Sequence, residues 1–219
     1  MKKIGYGLAA ICCAAALTIG TQTTSAATTS TAPKITYKTY KTKDIQYAVI
    51  HNTAYQKVNA KMYQDAKVNY AYRQKLLKQY AADVKRGTAS KNQSYVFAQN
   101  CSTAYKTKKK VSIACEVYEY TGGAHGYSTS VSYNTLNGKQ LSLKNAFKSE
   151  AAYKAGKAYA KNYILSRPTH YPFADNKSTI AGHQYVWTKK GLNVQFDQYD
   201  LASYAEGKKL VPIPQKYVK

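Results

Sequence analysis

The stretch SYVFAQNCSTAYKTKKKVSIACEVYEY, residues 94–120, decides the fold. Two runs rich in β-branched and aromatic residues, 94–105 and 111–120, flank a lysine-rich turn made by Lys106, Lys108, Lys109 and Lys110. Such a pattern predicts an antiparallel hairpin. With the turn centred on Lys108, Cys101 and Cys115 stand at equal distances on either side and face each other. Alternation puts Phe97 and Cys101 on one face of the first strand, and Ile113, Cys115 and Val117 on one face of the second. A cross-strand disulfide on the core side is therefore expected, at a Cα spacing of about 5.5 Å. Closing a loop of about 15 residues contributes roughly 3 kcal/mol by chain entropy.

The neighbouring segments extend the pattern. Before the hairpin, residues 34–50 alternate like strands. Thr53 and Gln56 have the form of a capping box. Tyr55, Val58, Met62, Ala66, Tyr70, Leu77, Tyr80 and Val84 then recur at helical spacing until Gly87, which predicts one long amphipathic helix over 54–86. Its other face, rich in Lys and Gln, is either solvated or a partner surface. After the hairpin, residues 127–136 and 139–143 flank Asn137-Gly138, the strongest short hairpin signal. A second helix is expected over 149–165, ended by Arg167-Pro168. Residues 168–183 read as a loop. Residues 184–188 and 192–196 form a third hairpin around Lys189-Lys190-Gly191, with Trp187 as a packing residue. Val211-Pro212-Ile213-Pro214 fits only an edge or terminal strand. The class that follows is α+β: a mainly antiparallel sheet of hairpins packed with one long and one shorter helix.

Composition narrows the setting. The 219 residues carry 33 Lys and Arg against 10 Asp and Glu, a net charge of +23. The mean hydropathy of −0.52 excludes a polytopic membrane protein. Lys2 and Lys3, the apolar run 8–19 and the small residues Thr24-Ser25-Ala26-Ala27 predict a signal peptide over 1–26. That run is too short to span a bilayer, which takes about 20 apolar residues. An uncleaved N-terminal anchor is the alternative. Residues 27–33 (ATTSTAP) read as a disordered linker, and 34–219 as the folded domain. An exported chain with two remaining cysteines favours one disulfide. Leu, Ile, Val and Phe make up only about 17% of the mature chain, a level that hints at disorder. The 23 tyrosines answer this, because each can bury a ring while its hydroxyl finds a partner.

A resemblance emerges from two segments. The first is Tyr118-Glu119-Tyr120-Thr121-Gly122-Gly123-Ala124-His125-Gly126-Tyr127, followed by Asn137-Gly138-Lys139, Leu143 and Phe147. The second is residues 185–196 (YVWTKKGLNVQF), followed by Tyr199, Tyr204, Ala205, Gly207 and 211–214. Together they resemble the RsiV-type domain of unknown function. That domain forms the extracellular part of an anti-sigma factor, and a similar module precedes the catalytic domain of a peptidoglycan deacetylase. The resemblance spans about residues 34–218 and implies an extracytoplasmic, non-catalytic α+β module that binds lysozyme. The chain shows neither an anti-sigma segment, nor a transmembrane segment after signal cleavage, nor a deacetylase domain, so only the binding role is expected to carry over. Common lysozymes are basic, and a chain with a net charge of about +21 after cleavage would repel them at long range.

The residues themselves supply little catalytic chemistry. His51, His125, His170 and His183 occur without His-Glu-x-x-His spacing, and neither Gly-x-Ser-x-Gly nor a phosphate-cradling loop is present. Glu116 and Glu119 lie three apart on a strand and face opposite sides, which does not suit a paired acid and base. No metal or cofactor is expected. Gly122 to Gly126 has two readings: a tight crossover whose His caps local backbone, or a ligand-facing loop with His125, Tyr120 and Tyr127 in contact. Tyr199 and Tyr204 likewise either pack the last loop or offer rings to a glycan or protein. The candidate ligand-binding set is Tyr120, Gly122, Gly123, His125, Tyr127, Tyr199 and Tyr204. The charge points to polyanions of the cell envelope such as teichoic acid, rather than to nucleic acid behind a signal peptide. The resulting expectation is a secreted or wall-associated, non-catalytic module that binds a lysozyme-like protein or peptidoglycan glycan and is retained by anionic wall polymers. A cell-wall-modifying hydrolase, with His125 and an acid converging in a cleft, is the alternative.

Overall fold

The computed structural model describes residues 31–219; the expected signal peptide and the first part of the expected linker lie outside them. Within the expected linker, Pro33 is buried against the domain. Strands β1 (Lys34–Thr39) and β2 (Gln46–His51) form a two-stranded antiparallel ribbon. Helix α1 (Gln56–Arg86) follows and runs for 31 residues, about 46 Å at 1.5 Å per residue. Its entry differs from the expected capping box. Asn52 caps a short 3₁₀ turn, its side chain accepting from the Ala54 N–H at 2.9 Å. Gly87 ends the helix with φ of 77°, its N–H reaching the Val84 carbonyl.

Strands β3 (Val96–Lys106) and β4 (Lys110–Tyr120) form the hairpin with Cys101 directly opposite Cys115 and disulfide-bonded to it. Their Cα atoms are 4.0 Å apart, closer than expected. The close spacing is that of a non-hydrogen-bonded antiparallel pair, and the Cys101 N–H turns away from β4 to the Gln46 side chain at 2.8 Å. A bulge between Thr103 and Tyr105 shifts the register near the turn by one residue. Strand β5 (Tyr127–Leu136) pairs with β4, and Asn137 and Gly138 make the tight turn at φ of 51° and 79°. The return strand β6 spans only Lys139–Gln140, because Ser142 caps a short helix α2 (Leu143–Ala146) instead. Helix α3 (Glu150–Leu165) is capped by Ser149. Strands β7 (Gln184–Thr188), β8 (Gly191–Phe196) and β9 (Lys209–Pro214) complete the chain. The fold is α+β as expected, with three antiparallel sheets of two, four and three strands, ordered β1-β2, β3-β4-β5-β6 and β7-β8-β9.

One face of the four-stranded sheet, carrying Val111, Ile113, Cys115 and Tyr133, packs on Ile50, Val58 and Met62 of β2 and α1. The buried side of α1 then turns polar. Asn69 bonds Gln99, Arg73 pairs with Asp44 at 2.5 Å, and Asp83 accepts from Gln79 and Tyr95 at 2.9 Å each. The opposite face of the sheet meets the β7–β9 sheet, which with α3 encloses a second core around Phe147, Ile164, Tyr171, Trp187 and Phe196. Trp187 is fully buried and its indole N–H donates to the Thr135 carbonyl at 3.0 Å. Tyr55, Tyr133, Tyr171 and Tyr185 are buried as well, so tyrosine does supply the missing aliphatic mass.

Replacing both Cys101 and Cys115 by Ala should lower stability by about 3 kcal/mol; urea unfolding of the two proteins checks this, and an unchanged midpoint would contradict it. A second expectation concerns high pH. Burial pushes the Tyr171 phenol up to about 12, and burial also raises Tyr185 and, helped by the Asp65 carboxylate, Tyr133. The unfolded chain therefore loses these protons first. Stability is full below about pH 10 and falls as the pH rises through 12. Phenolate absorbance and circular dichroism should show a last fraction of tyrosines ionising together with loss of structure.

Candidate functional site

The site is built where the open edge of β5 meets the loop between β8 and β9. Past its short pairing with β6, β5 presents the N–H groups of Ser128, Ser130 and Ser132 outward. No strand covers them. The Gln198 side chain accepts from Ser128 at 3.2 Å, the Asp197 carboxylate from Ser130 at 3.0 Å, and the Gln184 side chain from Ser132 at 3.1 Å. These bonds satisfy an edge that would otherwise be free to pair, and they anchor the 197–200 turn beside Tyr127. The turn is closed by Asp200, whose carboxylate accepts from the Asp197 N–H at 2.7 Å. Tyr199 at its apex takes φ of 69°, a left-handed conformation uncommon for a bulky residue. Its N–H is held by the Ala202 carbonyl at 3.1 Å.

From the other side comes the glycine-rich loop. Gly122 and Gly123 both sit at φ of 96°, so they provide backbone freedom. Tyr120 folds back over the loop, its hydroxyl donating to the Gly123 carbonyl at 3.1 Å. Gly126 is required for space: a Cβ there would lie 2.5 Å from both the Glu119 carbonyl and the Tyr118 hydroxyl. This close approach delivers His125 onto the loop after β8. Its ring stacks on Tyr204 with centroids 3.8 Å apart and planes 19° apart. The Tyr199 hydroxyl lies 3.3 Å from His125 Nε2, and Tyr127 closes the group at 6.0 Å from both His125 and Tyr199. Tyr127 is 57% exposed and Tyr199 43% exposed.

The structure thus brings together four of the residues singled out in the sequence, His125, Tyr127, Tyr199 and Tyr204. It assigns Tyr120, Gly122 and Gly123 to shaping the loop. Paired charges border the cluster: Lys208 meets Glu116 at 3.4 Å and Lys209 meets Glu206 at 3.2 Å. The Ser128 hydroxyl and the Lys208 ammonium hold the Glu116 carboxyl below its usual range. Sequence reasoning missed Asp197, Gln198 and Gln184, whose partners lie 52 to 70 residues away. It also missed the pairing of His183 with Asp200 at 3.7 Å. A separate cleft of about 660 Å³, between α1 and residues 140–144 and 182–185, shares no lining residue with the cluster. Among the described residues, no three His, Cys, Asp or Glu side chains group as a metal site, and no helix is long and apolar enough to cross a membrane.

Comparison with known proteins is consistent with this architecture. A family model described as "Deacetylase PdaC" matches residues 35–128, from β1 to the start of β5 and fewer than half of the 219 residues. A member of the DUF3298 family from Bacteroides fragilis shares the fold with a TM-score of 0.59 at 17% identity, over 85% of this chain and 92% of that one. A DUF3298 family protein from Pseudomonas aeruginosa follows with a TM-score of 0.50 at 16% identity, over 86% and 94%. No curated protein matches. The deacetylase model agrees with the expected likeness to a module found in a deacetylase. At these identities the solved structures speak for the fold alone.

Replacing Gly126 by Ala should cost about 1–3 kcal/mol, as overpacking does, because one of the two atoms it meets is backbone and cannot turn aside. Thermal unfolding measures the cost. The upfield ring-current shifts of His125 from the Tyr204 stack should collapse in the same variant.

Proposed function

We propose that this chain is a secreted binding module of the bacterial cell envelope that holds a wall glycan on the rings of His125, Tyr127, Tyr199 and Tyr204. One observation carries the reading: four aromatic rings from two distant loops converge at the surface, and two of the tyrosines remain about half exposed. Aromatic faces with polar tips suit ligands that are apolar on one face and hydroxylated at the rim. The disulfide fits an oxidising, extracytoplasmic setting. Retention on anionic polymers such as teichoic acid is supported by the net charge of +23 and by Lys57, Lys67, Lys75, Lys78 and Lys85, all exposed along α1.

A lysozyme-like protein is the partner that the RsiV-type resemblance favours, and the same rings would contact it. The hydrolase alternative draws support from the matched deacetylase model. His125, however, is engaged by tyrosines, and the His–carboxylate pair among the described residues is His183 with Asp200.

Binding of the mature protein to purified wall, with and without teichoic acid and across a salt series, tests the reading. Replacing Tyr127 and Tyr199 together by Ala should weaken the salt-resistant part of wall binding about tenfold or more, since each lost ring contact is worth about 0.5–1.5 kcal/mol beyond its area. Salt-sensitive binding should depend on teichoic acid and survive the substitution. Wall binding indifferent to both rings and teichoic acid would overturn the proposal. Salt-resistant capture of lysozyme without glycan binding would replace the ligand, and release of wall fragments by the wild type but not by His125→Ala would replace the class.

A further inference from the structure

Beside the aromatic cluster lies a cleft of about 420 Å³ between β3–β5 and the β8–β9 segment. Ser130, only 4% exposed, sends its hydroxyl into this region without a protein partner, and the Gln195 side-chain oxygen is equally buried and equally unpartnered. A buried polar atom left in that state costs about 1–3 kcal/mol. The Ser130 N–H is already committed to Asp197, so its hydroxyl is not needed to hold the turn. The rest of the wall is mixed. Glu116 and Lys208 cancel each other at 3.4 Å, while Ala114 and Leu210 are apolar. Ser130 lies three residues along β5 from Tyr127, about 10 Å at 3.3 Å per residue.

We infer that this cleft is a subsite for the N-acetyl group of an amino sugar whose neighbouring ring stacks on the aromatic cluster. The inference deepens the glycan reading and rests on it. A secondary amide offers one donor and one acceptor, matching the Gln195 oxygen, which accepts, and the Ser130 hydroxyl, which donates. Its methyl group meets Ala114 and Leu210. The neutralised Glu116–Lys208 pair favours an uncharged group over an anion or an ammonium. The lysines of α1 therefore serve a different ligand from this cleft.

Titration calorimetry with three probes tests it: a tetramer of N-acetylglucosamine, the same tetramer after N-deacetylation, and a glucose tetramer. The acetylated probe should bind at least tenfold more tightly than the other two. Ser130→Ala should remove most of that preference while leaving thermal stability unchanged or slightly higher, because the hydroxyl has no protein partner to lose. Gln195→Leu should act in the same direction. Tyr127→Ala with Tyr199→Ala should instead weaken all three probes together. Equal affinity for the three probes, abolished by the tyrosine substitutions, would overturn the subsite and leave the platform reading intact. No binding of any probe at millimolar concentration would overturn both. An acetyl preference untouched by Ser130→Ala and Gln195→Leu would overturn the assignment to this cleft.

Discussion

The β7–β9 sheet is docked on the four-stranded sheet by hydrogen bonds between side chains and main chain, and the rest of the molecule depends on that seam. Trp187 donates its backbone N–H to Ser112 at 2.7 Å and its indole N–H to Thr135. The Tyr185 carbonyl accepts from Ser132 and Asn134 at 2.7 and 2.5 Å. Farther along β5, Gln184, Asp197 and Gln198 take the outward N–H groups in alternation. Such bonds have narrow distance and angle requirements, so they fix one register where an apolar contact would tolerate sliding. The same seam places the loop after β8 beside Tyr127. Without it, Tyr199 and Tyr204 would have no fixed relation to His125.

The seam also explains how a chain poor in aliphatic residues folds at all. Ser112, Ser132, Asn134 and Thr135 are buried, and burial of such groups is tolerated only when they are bonded. Tyrosine extends the logic into the cores. Tyr133 buries its ring against Ile113 and Met62 while its hydroxyl donates to Asp65 at 2.9 Å. Tyr185 packs on Trp187 and donates to the Leu141 carbonyl at 3.1 Å. Each ring supplies apolar area and each hydroxyl ties together segments far apart in sequence.

What the sequence made legible was local. The facing cysteines, the Asn137-Gly138 turn, the glycine stop of α1 and the Lys189-Lys190 hairpin depend on residues a few positions apart, where turn chemistry and periodicity act directly. The polar half of α1 was not legible, because Asn69, Arg73 and Asp83 are buried only by virtue of Gln99, Asp44 and Tyr95 in other elements. The strand expected to run through Leu143 stopped at Gln140 for a comparable reason: Ser142 competes as a helix cap, and periodicity over five residues does not weigh that competition. The site was legible in part. Glycines around a histidine and tyrosines in a late loop marked two segments, yet their meeting rests on Asp197 and Gln198, whose role appears only once β5 has an open edge.

Charge and rings divide the surface by range. Long-range attraction is set by summed charge and is screened beyond about 8–10 Å at physiological salt. It steers approach and retention without selecting structure. Around the aromatic cluster, by contrast, Lys208 and Lys209 are paired with Glu116 and Glu206, so the field there is locally balanced. A polyanion gains little from that neighbourhood and more from the lysines of α1. A neutral ligand meets the reverse situation, with ring faces and unpartnered polar atoms within about 10 Å along one strand. The distribution of charge thus separates two kinds of contact on one small domain, and the open edge of β5, bonded by side chains and left without a strand, is what keeps the second kind accessible.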